Sequence, residues 1–384
     1  MEFYGRQNEL QQLNEAYFSD QFSFYVMYGR RRIGKTTLLR KFIEGKKALY
    51  FSAQEANEAL NLKKFSKELY TLHGFPSGLP PFSNWDEAFS YVGDYVKEHR
   101  LILIIDEFPY IASSDKSVLS VLQHCIDFKW KDSKMFLVLC GSSMSFMQYE
   151  VLGYKSPLFG ERTAQLHLKP FSFYESCEML SSFSQEEKIQ YYAILGGIPQ
   201  YLEKVDHNKT LKENIIQLFL GTHSYLYDEP QMLMKQELRE PAVYNSIVTA
   251  IANGKTKLNE IADFTKENTS KVSKYIANLI EMGIVKKAVP FKELQEISKK
   301  GVYRLEDAMF QFWFRFVFEN RDLIEMKLSE VLYDSYIEQH FSEFVSFPFE
   351  KICMEFLITK SIRKELPFQI LRYGDWWGND RKEN

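Results

Sequence analysis

Gly29-Arg30-Arg31-Arg32-Ile33-Gly34-Lys35-Thr36 follows the spacing G-x-x-x-x-G-K-T. Glycines at those two places let consecutive backbone N–H groups curl around an anion, and a helix starting at the lysine adds its N-terminal dipole. In this spacing Lys35 reaches the outer phosphates of a nucleotide, and the Thr36 hydroxyl meets the accompanying Mg²⁺. Gly29, Arg30, Arg31, Arg32, Ile33, Gly34, Lys35, Thr36 and Thr37 are therefore the candidate nucleotide contacts. The three successive arginines make the loop strongly cationic. They either add phosphate contacts or pair with a neighbouring domain.

A second constellation lies 70 residues beyond Thr36. Leu101-Ile102-Leu103-Ile104-Ile105 reads as a strand buried on both faces, and it ends in Asp106-Glu107. Carboxylates at the C-terminal tip of a parallel strand sit where ligands bind in open α/β sheets. Asp106 is placed to orient Mg²⁺ and its waters, and Glu107 to polarise an attacking water as general base. Met135–Cys140 is another buried strand, ending in Gly141-Ser142-Ser143. Ser142 is a candidate for sensing the γ-phosphate or the water; alternatively Ser142 or Ser143 caps the helix that follows, and the two roles are compatible. Arg162, ahead of a last strand at Ala164–Leu168, either reads γ-phosphate charge or is a solvated arginine.

The elements that must position these residues follow from pattern. Phe22–Tyr28 is an apolar strand running into the loop, and Thr37–Ile43 is helical. Leu10, Leu13 and Tyr17 recur at helical spacing, so a short helix opens the chain; its polar entry lies over an adenine or simply on the surface. Lys47–Ser52 predicts a strand, Asn57–Leu72 a helix, His73–Pro81 a loop, and Trp85–Lys97 and Lys116–Lys129 two more helices. Strand–helix alternation implies a parallel sheet with helices on both faces. Phe171 to about Lys235 reads as helical, punctuated by Gly196-Gly197-Ile198-Pro199, which permits a close approach between helices.

Residues 241–306 change rhythm: three short helices, then two strands at Ile284–Val289 and Gly301–Leu305. This is a winged helix-turn-helix pattern. Its third helix would present Ser270, Lys271, Lys274 and Asn278 outward, with Lys286, Lys287, Lys299 and Lys300 on or near the wing. Those lysines suit contacts to duplex DNA phosphates, or the module packs against protein. The aromatic run Met309–Phe318 is a buried or interface helix, or an aromatic platform for nucleic acid.

The chain has 384 residues, 45% hydrophobic and 26% charged, which suits a globular protein of two or three domains. With a net charge of −3, overall charge drives no binding to nucleic acid or membrane, so any basic site must be local. Four scattered cysteines suggest neither a zinc site nor a disulfide framework, and a reducing cytoplasm is expected. No signal peptide or membrane-length apolar run is expected.

Several of these stretches together resemble the archaeal-type ATPase family, within the STAND/AAA-like branch of P-loop NTPases. They are Phe3-Tyr4-Gly5-Arg6-Gln7-x-Glu9, Gly29–Thr36, Leu101–Glu107, Gly141-Ser142-Ser143, Gly160-Glu161-Arg162 and Gly196-Gly197-Ile198-Pro199. The resemblance covers almost the whole length. It implies that Arg6 belongs to an N-terminal nucleotide-lid motif and Pro199 to a Gly-x-Pro module, both serving the nucleotide. Gln7 stands where the family usually has an acidic residue. The resemblance also implies a nuclease-like C-terminal domain beginning near Phe349-Glu350. The chain stops at Asn384, before the metal-binding Asp and Glu-x-Lys residues of such domains, so no nuclease activity is expected.

The expected organisation is a P-loop ATPase core at 1–168, a helical lid at 169–238, a winged helix at 239–306, and a C-terminal helical region at 307–384. The expected function is ATP binding with slow Mg²⁺-dependent hydrolysis that drives a conformational switch. The other readings are a DNA-binding regulator with ATP as effector, and a protein-interaction scaffold.

Overall fold

The computed structural model describes residues 2–375 except 77, 239, 292, 294–297, 299 and 300. Lys299 and Lys300, singled out above, lie outside the described residues. The chain divides into two compact units, Met1–Pro170 and Phe171–Asn384.

The first unit is a five-stranded parallel sheet. Helix α1 (Gln7–Phe18) precedes β1 (Ser23–Tyr28), and α2 (Lys35–Ile43) leads to β2 (Ala48–Ser52). Then come α3 (Glu58–Leu72), α4 (Trp85–Val96), β3 (Ile102–Asp106), α5 (Phe108–Ser114), α6 (Val118–Cys125), β4 (Phe136–Gly141) and β5 (Ala164–His167). The spatial order is β2-β3-β4-β1-β5, and every pairing is parallel. Every residue of β1, β3 and β4 is buried, as their unbroken apolar runs require. Each fully buried Leu, Ile or Phe there contributes about 1.5–3 kcal/mol. Helix starts are set locally: the Asn57 side chain accepts from Leu60 N–H, and Asn84 accepts from Glu87 N–H.

Two details depart from the pattern reading. Helix α5 follows directly on Asp106-Glu107, where the sequence pattern carried no expectation of a helix. Pro109 in its first turn and the buried Phe108, Ile111 and Ala112 make it a helix packed on the core. The stretch 116–129 is helix α6 followed by a π-helical turn, Ile126–Trp130, which buries Trp130 beside Phe89.

The second unit begins with α7 (Phe173–Met179), α8 (Gln185–Leu195), α9 (Pro199–Leu202), α10 (Leu211–Phe219) and α11 (Glu229–Glu237). Capping boxes start three of these helices: Ser172 with Glu175, Ser184 with Glu187, and Thr210 with Glu213. The Gly-Gly-x-Pro element brings its chain against the segment just before α7: Phe171 N–H donates to the Gly197 carbonyl at 2.7 Å. Helices α12 (Pro241–Ala252), α13 (Leu258–Thr265) and α14 (Thr269–Glu281) precede β6 (Val285–Ala288) and β7 (Val302–Leu305), an antiparallel pair. Helices α15 (Ala308–Phe312), α16 (Arg321–Glu325), α17 (Ser329–Leu332) and α18 (Glu338–Ile362) complete the unit.

The aromatic run is core and not an exposed stacking surface. Phe310, Phe312, Trp313 and Phe316 are fully buried, so no base can stack on them. A π-helical turn at Trp313–Val317 helps to bury successive residues, and Trp313 Nε1 donates to the Tyr227 carbonyl at 2.6 Å. The last helix starts earlier than its sequence suggests. It runs unbroken through Pro348, so Phe349-Glu350 lies inside it.

Candidate nucleotide site

The loop between β1 and α2 is shaped by its glycines. Gly34 has φ 87°, a left-handed conformation that costs a side-chain-bearing residue about 1–2 kcal/mol. A side chain on Gly29 would place its Cβ 2.5 Å from the Leu168 carbonyl oxygen and 2.4 Å from Ile33 Cδ1. Ile33 is fully buried and anchors the loop to the core. Lys35 is also buried, and its ammonium donates to the Gly29 carbonyl at 2.7 Å and the Arg30 carbonyl at 3.1 Å. The loop's own carbonyls thus hold the charge inside its curve. Thr36 and Thr37 stand exposed on the first turn of α2, where helix N–H groups have no partners within the helix.

The loop and β3 meet at Asp106, which is 4% exposed. Its Oδ2 accepts from Thr36 Oγ1 at 3.0 Å and from the Tyr50 hydroxyl, and its Oδ1 accepts from Glu107 N–H at 3.0 Å. Burial, and then the Asp106 charge, push the Tyr50 phenol far above its usual value, so it stays a donor. Burial and the same carboxylate push the Cys140 thiol well up, keeping it neutral beneath the site. A hydroxyl and a carboxylate in contact are hard oxygen donors suited to Mg²⁺. That ion takes one or two carboxylates plus phosphate oxygens and water rather than an all-protein cage. No group of three or more His, Cys, Asp or Glu residues able to hold a metal occurs among the described residues.

Glu107 is placed by strain and by a neighbouring strand. Its φ is 52°, left-handed for a residue with a side chain, at the junction of β3 and α5. Its Oε2 accepts from Ser142 Oγ at 2.9 Å and from Ser142 N–H at 3.3 Å. The sheet order explains the meeting: β4 lies between β1 and β3, so Ser142 at its tip stands beside Glu107. Of the two readings for Ser142, its hydroxyl serves the carboxylate. The helical start that follows uses the Ser143 carbonyl, which accepts from Met147 N–H.

The arginines divide. Arg31 donates to the Tyr110 hydroxyl on α5 at 3.1 Å, bracing the loop against the helix that follows Glu107. Arg30 is 7% exposed, and Arg32 holds a left-handed φ of 72°. Arg6 is buried, with its guanidinium donating to the Ile33 carbonyl at 3.1 Å and to the Lys169 carbonyl, and pairing with Glu9 at 3.1 Å. It supports the loop from its own backbone side. Arg162 is half-buried and near enough to Tyr28, the residue before the loop, to favour that phenol's ionised form against the effect of burial. Pro199 belongs to the second unit, where it is buried and opens α9.

On α14, Lys274 is exposed, whereas Lys271 pairs with Glu267 at 3.0 Å. Asn278 does not face outward: its amide donates to the Tyr244 hydroxyl at 2.5 Å, because Tyr244 of α12 packs across that face. Lys286 pairs with Glu306 at 3.0 Å, and Lys287 lies next to it on β6. Tyr50 and Tyr110 escaped the sequence reading. Their partners lie 56 and 79 residues away, and only strand register and packing reveal them.

Residues 3–205 match a family described as an ATPase domain predominantly from Archaea, and residues 313–384 match one described as archaeal and bacterial proteins of unknown function. An uncharacterized protein of Methanocaldococcus jannaschii is 35% identical over 375 residues, covering 98% of this chain and 82% of that one. Two solved structures share the fold. The Walker-type ATPase of Pyrococcus abyssi superposes with TM-score 0.61 at 19% identity, over 82% of this chain and 96% of that one. The ORC2 protein of Aeropyrum pernix, solved as ADPNP and ADP complexes, gives 0.53 at 15% identity over 85% and 96%. The nucleotide-binding fold therefore comes with a family match over more than half the chain and a relative across nearly all of it: this chain belongs to the ATPase domains found predominantly in Archaea.

Proposed function

We propose that this chain binds ATP with Mg²⁺ and hydrolyses it slowly, using the nucleotide state as a conformational switch. The observation that carries this reading is the continuous set of contacts from Thr36 through Asp106 to Glu107 and Ser142, beside the loop that holds Lys35. In this reading the loop N–H groups and Lys35 take the phosphates, and Thr36 and Asp106 hold Mg²⁺, which would neutralise phosphate charge. Glu107 takes the proton of an attacking water, with Ser142 fixing its carboxylate. Arg162 offers charge to the outermost phosphate. Arg6 steadies the loop, and Pro199 belongs to the module that responds to the nucleotide.

Residues 169–238, 239–306 and 307–384 are read as the helical lid, the winged helix and the C-terminal region that such a switch would drive. A winged helix engaging duplex DNA fits less well, because Lys271 and Lys286 are already paired with glutamates.

Equilibrium binding of a fluorescent ATP analogue and phosphate release by purified protein test the central claim. The wild type should bind and turn over slowly, and Lys35→Ala should weaken binding by at least about tenfold, the worth of a hydrogen bond to a charged group. Unchanged affinity in that variant would sink the reading.

A further inference from the structure

Tyr50 sits on β2, one of the two edge strands of the sheet, which pairs in register with β3: Tyr50 opposite Ile104, and Ser52 opposite Asp106. Side chains alternate along a strand. Leu49 and Phe51 are therefore buried on one face, and Tyr50 is left on the other, two positions short of Asp106. The length of a tyrosine spans that diagonal, and its hydroxyl donates to Asp106 Oδ2, the same oxygen that accepts from Thr36. One phenol thus engages the same carboxylate oxygen that Thr36 engages in the pair read as the Mg²⁺ site. The Arg40 guanidinium of α2 lies 5.9 Å from the centre of the ring, a cation–π contact that helps to hold it in place.

The Asp106 carboxylate is pinned at both oxygens: Oδ1 by the Glu107 N–H, and Oδ2 by two hydroxyls. Phenylalanine would supply the same ring, so the hydroxyl is the feature that the packing does not require. We propose that Tyr50 is a positioning residue for Mg²⁺: its hydroxyl sets the orientation of the Asp106 carboxylate, which Thr36 also engages, so that the ion meets a preformed pair of oxygens. Groups that orient metal-binding side chains are worth about 10–100-fold in metal affinity. This inference rests on the ATP·Mg²⁺ reading above.

The test uses the full chain and its Tyr50→Phe variant. A fluorescent ATP analogue is titrated in EDTA and then across a Mg²⁺ series. Mn²⁺ binding to the nucleotide-loaded protein, followed by electron paramagnetic resonance, gives a readout independent of turnover. Expected for the variant are an EDTA affinity within about twofold of wild type and a Mg²⁺ half-saturation raised about tenfold or more, with Mn²⁺ weakened in parallel. An unchanged or tighter metal response would overturn the proposal. So would loss of affinity in EDTA, because Tyr50 would then be supporting the fold of the site. Wild-type protein that binds no nucleotide in either condition would overturn the ATP reading itself, and this inference with it.

Discussion

Glu107 combines three properties that one residue type alone would not confer: a carboxylate, a strained left-handed backbone and a two-point hold by Ser142. Strain of this kind costs about 1–3 kcal/mol and persists where surrounding contacts impose it. Here β3 below and α5 above supply those contacts. Glu107→Gln keeps the shape and removes the proposed base. Nucleotide affinity should therefore stay within about twofold while turnover falls about 10²–10⁴-fold. Ser142→Ala should cost turnover about tenfold or more, the worth of a hydrogen bond to a charged group. If Ser142 acts through Glu107, the double variant should be no slower than Glu107→Gln alone. Additive losses in phosphate-release rates would assign Ser142 an independent contact with phosphate.

At the scale of elements, the loop at Gly29–Thr36 is set by a buried strand and a helix that meet across a turn where Gly29 leaves no room for a Cβ and Gly34 is left-handed. Lys35, Thr36 and Thr37 are the first residues of α2, so the placement of the helix start places the chemistry. The second unit relies on side-chain staples of another kind. Asn214 of α10 is fully buried; it accepts from Asp206 N–H at 2.8 Å and donates to the Tyr191 hydroxyl at 2.8 Å and the Asp206 carbonyl at 3.0 Å. One amide thereby ties α8, α10 and the turn between α9 and α10 together. Asn214→Ala leaves several of those groups without partners and should destabilise the second unit by about 3 kcal/mol, since each unmade buried bond costs about 1–3. Chemical denaturation and amide exchange localised to α8 and α10 check this. A loss below about 0.5 kcal/mol would show that water replaces the amide.

At the scale of the molecule, charge decides which partners are attractive. The chain is net −3, and among the lysines singled out for DNA, Lys271 and Lys286 have glutamate partners. Each phosphate neutralised contributes about 0.9 to the slope of log affinity against log salt. Duplex DNA binding, measured by mobility shift with and without ATP, should therefore be weak with a slope below about 2. A slope of several units would restore the DNA-binding reading of residues 239–306. No helix among the described residues is long and apolar enough to cross a membrane.

What the amino-acid sequence settled by itself was whatever is contiguous. Strand, glycine turn and lysine-led helix are neighbours in the chain, so the strand–turn–helix around Gly29–Thr36 was legible. A carboxylate pair ending an apolar run was legible as a strand tip in the same way. What only the tertiary structure decided depends on the order and register of strands far apart in sequence. The interposition of β4 between β1 and β3 sets Ser142 against Glu107, and the register of β2 on β3 carries the Tyr50 hydroxyl to Asp106. Packing also decided that the aromatic run is core and that Asn278 faces Tyr244. The reason is physical: local propensity and capping act over a few residues, whereas side-chain partnership across a sheet follows from which strands the whole core brings side by side.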